Sequence, residues 1–297
     1  MAIRLQRALS AFACSTAAAM AFGQGGIAAD TILAAPAPRR VALSVTPYAW
    51  LTSYDGTSGA RDVAVDIDES FSEILGKSDS ILGLMGAVDL EVDRLVFQVN
   101  GAYARAEFSG TRGLARDGSV DDSPVGVSAR AVMENAWFEG FAGYRLLDAP
   151  FGETHQSRFR LDAFGGVRYT NLSVDMDVTA DTAVTLPSGH VLAAGTAVSL
   201  GDETGWAEPF VGLRAVTNFG EQWQVSFRGD VGGFGVDGSS FAWQAIGLVG
   251  YNWSLESWSL GLFAGYRAIG QDYQGSGMVW DVITHGPVLG LSATWKF

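Results

Sequence analysis

From about Val41 onward the chain alternates apolar residues with polar or small ones, in stretches of roughly ten to fourteen residues separated by turn-like sequence. Segment 223–232 is the clearest. Trp223, Val225, Phe227, Gly229 and Val231 fall on one face, and Gln224, Ser226, Arg228, Asp230 and Gly232 on the other. A period of two predicts strands. Soluble sheets alternate as well, so the composition of each face decides what surrounds them. In 158–170, Phe159, Leu161, Ala163, Gly165, Val167 and Tyr169 oppose Arg158, Arg160, Asp162, Phe164, Gly166, Arg168 and Thr170. In 257–267, Trp258, Leu260, Leu262, Ala264 and Tyr266 oppose Ser257, Ser259, Gly261, Phe263, Gly265 and Arg267. An apolar face flanked by aromatics, backed by a face of Gly, Ser and charges, matches the lipid and lumen sides of a membrane barrel.

The pattern predicts an all-β fold: a closed, antiparallel, up-and-down transmembrane β-barrel of about ten strands. They cover 41–53, 81–92, 95–108, 128–146, 157–174, 205–218, 222–234, 241–253, 257–269 and 286–297. Closure follows because hydrocarbon cannot satisfy the N–H and C=O groups of an open sheet edge. Connections 93–94, 147–156, 219–221 and 254–256 are mostly short, whereas 54–80, 109–127, 174–204, 235–240 and 270–285 are mostly longer. That asymmetry predicts periplasmic turns at one end and extracellular loops at the other, with both termini periplasmic. Segment 172–204 reads as an extracellular extension of the wall. If it crossed lipid the count would be twelve, and eight is the lower alternative; its Asp175, Asp177 and Asp181 would be costly facing lipid. In the first long loop, Asp68 is expected to cap a short helix whose Phe71, Ile74 and Leu75 form an apolar patch. Folded into the mouth, those four residues would constrict the barrel.

Composition and charge refine this. The chain has 38 Gly, 17 Phe and 9 Trp, with only 17% charged residues, and its lysines are Lys77 and Lys296 alone. Mean hydropathy is +0.17, and no apolar run after the N-terminal segment is long enough for a transmembrane helix. A net charge of −13 excludes a nucleic-acid partner, since no basic patch exists to displace phosphate counterions. Residues 1–29 read as a signal peptide: Arg4 and Arg7 precede the apolar run 8–22, with small-residue cleavage sites at Ala29 or Ala21. Residues 30–40, with Pro36 and Pro38, read as a flexible periplasmic lead-in, and 41–297 as the barrel. The only cysteine, Cys14, lies in the leader, so no disulfide or thiol chemistry is expected of the barrel.

The C-terminal strand carries Leu289, Leu291, Ala293, Trp295 and Phe297 on one face and ends in the aromatic Phe297. It resembles the C-terminal signal of bacterial outer-membrane barrels. The resemblance implies that Trp295 and Phe297 present the chain to the barrel-assembly machinery, and that outer-membrane lipid and lipopolysaccharide surround the product. A second stretch comprises Pro47-Tyr48-Ala49-Trp50, Asp55-Gly56-Thr57 and residues 65–75. It resembles a largely uncharacterised group of proteobacterial outer-membrane β-barrel proteins. That likeness implies fold and a bacterial outer-membrane location, and supplies no catalytic residues.

Asp89, Glu91, Glu139, Arg145, Arg160, Asp162, Arg168, Glu208, Arg214, Arg228, Asp230, Arg267 and Lys296 all fall on the expected inner face. In so narrow a lumen they form an ion-pair network, line a polar pore for small solutes, or both. The preference for Arg over Lys suits bidentate pairing with carboxylates. Enzymatic chemistry is not expected: the histidines are His155, in a periplasmic turn, and His190 and His285, in extracellular loops far apart in sequence. The candidate pair of His285 with Asp281 has a spacing ordinary for a loop. No cofactor and no metal is expected, because Asp117, Asp121, Asp122, Asp175, Asp177, Asp181, Asp202 and Glu203 lack an ordered calcium-loop spacing. The expected role is structural or passive permeation, with a surface barrel whose loops bind a partner as the alternative.

Overall fold

The computed structural model describes residues 40–60, 63–113, 126–153, 156–180, 184–185, 191–192, 196–275 and 277–297. The expected signal peptide, almost all of the lead-in, His155 and His190 lie outside them, as do Asp117, Asp121, Asp122 and Asp181. In chain order the elements are β1 (Val41–Trp50), β2 (Ser53–Ala60), β3 (Val63–Glu69), α1 (Phe71–Lys77), β4 (Ser80–Val92), β5 (Leu95–Gly113), β6 (Gly126–Phe151) and β7 (Ser157–Ala180). They continue with β8 (Val184–Thr185), β9 (Val191–Leu192), β10 (Thr196–Phe219), β11 (Trp223–Val236), β12 (Ser239–Ser254), β13 (Trp258–Gly275) and β14 (Met278–Lys296).

Ten of the strands run β1-β4-β5-β6-β7-β10-β11-β12-β13-β14, and β14 pairs back onto β1, so the sheet closes on itself. Every ladder is antiparallel. At the closing seam the backbones of Val41 and Phe297 exchange two hydrogen bonds (2.8 and 3.3 Å). The faces follow the alternation: Val167, Val211, Leu213, Phe227 and Leu289 are exposed outward, while Arg168, Phe210, Arg228 and Val288 are buried inside.

Segment 172–204 adds no wall strand. β7 and β10 stay in one unbroken register from Asn218↔Arg158 to Thr196↔Ala180, so the count is ten and the segment prolongs the wall. β6, β7 and β10 have 26, 24 and 24 residues. β1, β4 and β11 have only 10, 13 and 14, so this side of the wall stands well above the rest.

Three expectations need correction. The connections at 235–240 and 270–285 are not long loops. β11 and β12 meet at Asp237-Gly238, both with positive φ (52° and 85°), the geometry a tight hairpin demands; β14 pairs with β13 from Met278↔Gly275. Polar residues on both faces hid these strand ends from the alternation. The first long connection is more than a helix: β2 pairs with the upper part of β14, and β3 with β2. There β14 changes partner from β1 to β2 at Gly286 (φ +155°), where an added Cβ would lie 1.8 Å from the Leu51 carbonyl oxygen. Finally, Asp68 stands in β3 opposite Asp55. The cap of α1 is Ser70, whose hydroxyl accepts from Glu73 N–H while the Glu73 carboxylate accepts from Ser70 N–H.

Candidate functional site

The lumen is built in layers, because each strand contributes every second residue to it. Nearest the end where the first and last strands meet at Val41 and Phe297, β4 supplies Asp89 and Glu91, β6 Arg145, β7 Arg160 and Asp162, and β10 Arg214. Arg145 bridges Glu91 (3.0 Å) and Asp162 (2.9 Å); Arg214 bridges Asp89 and Asp162 (3.0 Å each); Arg160 reaches Glu91 at 3.3 Å. Three guanidinium groups balance three carboxylates in this layer.

Above it Val96, Phe141, Phe164 and Phe210 form an apolar layer, with Phe141 and Phe164 stacked at 4.5 Å. The next layer is a second balanced set of charges, almost wholly removed from solvent. Arg168 pairs with Glu139 (3.2 Å), Glu208 (2.9 Å) and Asp230 (2.8 Å). Arg228 pairs with Glu139 (2.7 Å) and Asp230 (2.9 Å), its guanidinium 4.9 Å from both the Phe141 and Phe164 ring centres. Arg267 lies 4.1 Å from the Trp137 ring centre and 4.8 Å from that of Trp50, donates to Gln244, and stands 3.8 Å from Glu139. Gln244 also donates to Asp230 (2.8 Å), and Ser239 and Gln271 donate to Glu208 (2.9 and 3.2 Å). Buried charge is tolerable only when paired and hydrogen-bonded on all sides, and this layer meets that condition for its carboxylates.

Toward the opposite end the lumen becomes aromatic. Trp50 and Trp137 pack with Ala102, Ile269 and Val288; Trp206 stacks on Tyr273 at 4.2 Å, beside Leu172, Trp280 and Val282. A cavity of about 30 Å³ remains between these layers, lined by Trp50, Met85, Asn135, Arg168 and Thr284 among others.

The structure thus brings together twelve of the thirteen expected lumen charges. Lys296 shares their face but stands exposed at the mouth where β14 ends. Phe71, Ile74 and Leu75 lie in α1, none of whose residues is buried; among the described residues, lumen side chains rather than α1 fill the interior. Trp295 stacks outward on Trp258 at 6.3 Å, and Phe297 is exposed at the base of the wall. His285 is joined not to Asp281 but to Asp55 of β2, and its other ring nitrogen lies 2.5 Å from the Tyr266 hydroxyl. Among the described residues, no group of three His, Cys, Asp or Glu side chains is arranged to hold a metal.

Phe164 and Phe263 already fall on the inner face in the alternation, and the structure adds Trp50, Trp137, Trp206, Phe141 and Phe210 to it. The signal was present: Trp137 and Trp206 each stand two residues before a buried carboxylate, Glu139 and Glu208, and so point the same way.

No protein-family model matches the chain, and no curated relative does. Solved structures are similar to this chain only at low identity. The outer membrane protease OmpT from Escherichia coli is 10% identical, with 88% of this chain and 97% of that chain covered and a TM-score of 0.49. A FadL homologue from Pseudomonas aeruginosa is 11% identical (86% and 90% covered, TM-score 0.28). Neisserial surface protein A is 10% identical (87% and 97% covered, TM-score 0.20). With each TM-score below 0.5, the fold rests on this chain's own strand pairing: a closed ten-stranded antiparallel β-barrel.

Proposed function

We propose that this chain is an integral barrel of the bacterial outer membrane with a structural, non-enzymatic role, its lumen sealed by its own side chains. The observation that carries the reading is the contrast between the two faces. Outside, the wall exposes Val211, Leu213, Phe227 and Leu289, a surface that water would penalise and lipid accepts. Inside, two charge-balanced layers enclose a layer of phenylalanines. A solute crossing the lumen would have to break buried ion pairs, which favours the structural role over permeation. Outer-membrane lipid and lipopolysaccharide are the partners of the wall, and the barrel-assembly machinery is the partner of the strand ending in Trp295 and Phe297.

The projecting wall of β6, β7 and β10 also gives the barrel a surface clear of the membrane, on which a loop-binding partner would act. Two measurements test the proposal. A heat-modifiable gel shift reports a folded membrane barrel, and planar-bilayer recordings of that folded protein should be silent. Stable single-channel openings would overturn the sealed lumen. Deleting residues 66–77 should leave the silence unchanged.

A further inference from the structure

Among the described residues the hydrogen-bonded wall is interrupted where two neighbouring strands both run on unpaired: between β10 and β11 beyond Phe210↔Gly232, where the short β11–β12 hairpin soon ends, and, over a longer stretch, between β1 and β4. The β1–β4 ladder stops at Pro47↔Gly86, although β1 continues to Trp50 against β14 and β4 continues to Ser80 against β5. Higher up, β2 takes over from β1 on β14, and β3 on its far side is the edge of the sheet. Among the described residues, no ladder joins 48–53 to 80–85. With Leu43 opposite Trp295 in the lower aromatic girdle, the gap lies roughly 13 to 25 Å above that girdle, the outer-leaflet half of an apolar band about 25 Å tall.

What stands behind the gap is specific. The 30 Å³ cavity is lined there by Trp50, Thr52, Met85, Ala102, Ala104 and Asn135. Trp50 is 5% exposed. Its indole Nε1 and the Asn135 Oδ1 are buried polar atoms with no hydrogen-bond partner among the described residues. One is a donor and the other an acceptor. Such atoms cost about 1–3 kcal/mol each while unpaired, so they mark where a polar group belongs. The floor adds no net charge, because Arg168 is already held by Glu139, Glu208 and Asp230. On the lipid side of the gap β4 exposes Leu82 and Leu84, at 61% and 76%.

We propose that this gap is a lateral entrance, open to the outer leaflet, for a neutral single-chain amphiphile. Its hydroxyl or primary amide head accepts from Trp50 Nε1 and donates to Asn135 Oδ1, while its chain lies in the gap against Met85, Ala102 and Ala104. The cavity holds about two water molecules' worth of space, which suits a head group and leaves the chain in the gap and the bilayer. A carboxylate or phosphodiester head accepts but does not donate, and would leave Asn135 Oδ1 unpaired. The inference rests on the membrane-barrel reading above.

The test uses the full protein folded in phospholipid vesicles, with tryptophan fluorescence quenched by dibrominated oleyl alcohol, by dibrominated oleate at about pH 9, where its carboxyl is ionised, or by dibrominated diacyl phosphatidylcholine. The alcohol should quench saturably at low mole fraction, above the level given by the bulk lipid. Asn135→Leu should weaken that saturable component roughly tenfold, and Ala104→Phe should abolish it, both variants keeping the heat-modifiable gel shift. A folded barrel without saturable quenching by the alcohol overturns the entrance. Oleate binding as tightly as the alcohol, or an unchanged Asn135→Leu, overturns the head-group assignment. Loss of the gel shift in the unmodified protein would instead overturn the membrane-barrel reading itself.

Discussion

Replacing Arg168 by methionine removes the cation that ties the buried upper charge layer together. In the parent, Arg168, Arg228 and Arg267 balance Glu139, Glu208 and Asp230, and the variant leaves one negative charge over. That charge falls on a particular residue. Glu139 keeps Arg228 at 2.7 Å, and Asp230 keeps Arg228 at 2.9 Å together with Gln244. Glu208 loses its only ion-pair partner among the described residues and retains the neutral donors Ser239 and Gln271. A buried ion stripped of its partner costs about 3–5 kcal/mol, a fall of about two to four orders of magnitude in the folding equilibrium. Arg168→Met should lose that much in urea unfolding followed by tryptophan fluorescence in detergent micelles. Adding Glu208→Gln should recover more than half of it, since the amide still meets Ser239 and carries no charge. Arg160→Met is the internal control: its single ion pair at 3.3 Å to a partly exposed Glu91 should cost within about 1 kcal/mol. If Arg168→Met unfolds within about 1 kcal/mol of the parent, or if Glu208→Gln deepens the loss, the reasoning about a coupled, charge-balanced layer fails.

Further outcomes follow from other sites. Hydrogen bonds from the Ser70 hydroxyl and backbone hold the Glu73 carboxyl below the usual carboxylate range. A depressed pKa contributes stability above the unfolded value and loses it as pH falls through the folded one. Amide protection across 70–77, measured relative to the intrinsic exchange rate at each pH, should therefore fall at acid pH, and Glu73→Gln should flatten that dependence. Gly286→Ala places a Cβ against the Leu51 carbonyl oxygen at a positive φ. It should cost roughly 1–3 kcal/mol in the same urea assay, with the β2–β3 hairpin becoming protease-sensitive first.

Much of the molecule was legible in its alternation. Lipid outside and a confined lumen inside impose opposite demands on successive residues, so parity alone assigns Asp162, Arg168, Glu208 and Arg228 to the interior, and Val167, Val211 and Phe227 to the exterior. The unbroken β7–β10 ladder follows the same parity, which keeps Asp175 and Asp177 on the exposed outer face as far as Ala180. Partners were not legible. Arg168 meets residues 29, 40 and 62 positions away, and His285 meets Asp55 across 230 positions rather than Asp281 at four. Those meetings depend on the stagger between strands and on where β14 closes onto β1, and the local pattern carries no record of either. The exchange of β1 for β2 along β14, and the gap it leaves beside β4, belong to the same class. Alternation sets the face of each side chain, one strand at a time; register and closure set its height and neighbours, and these exist only once all ten strands are paired.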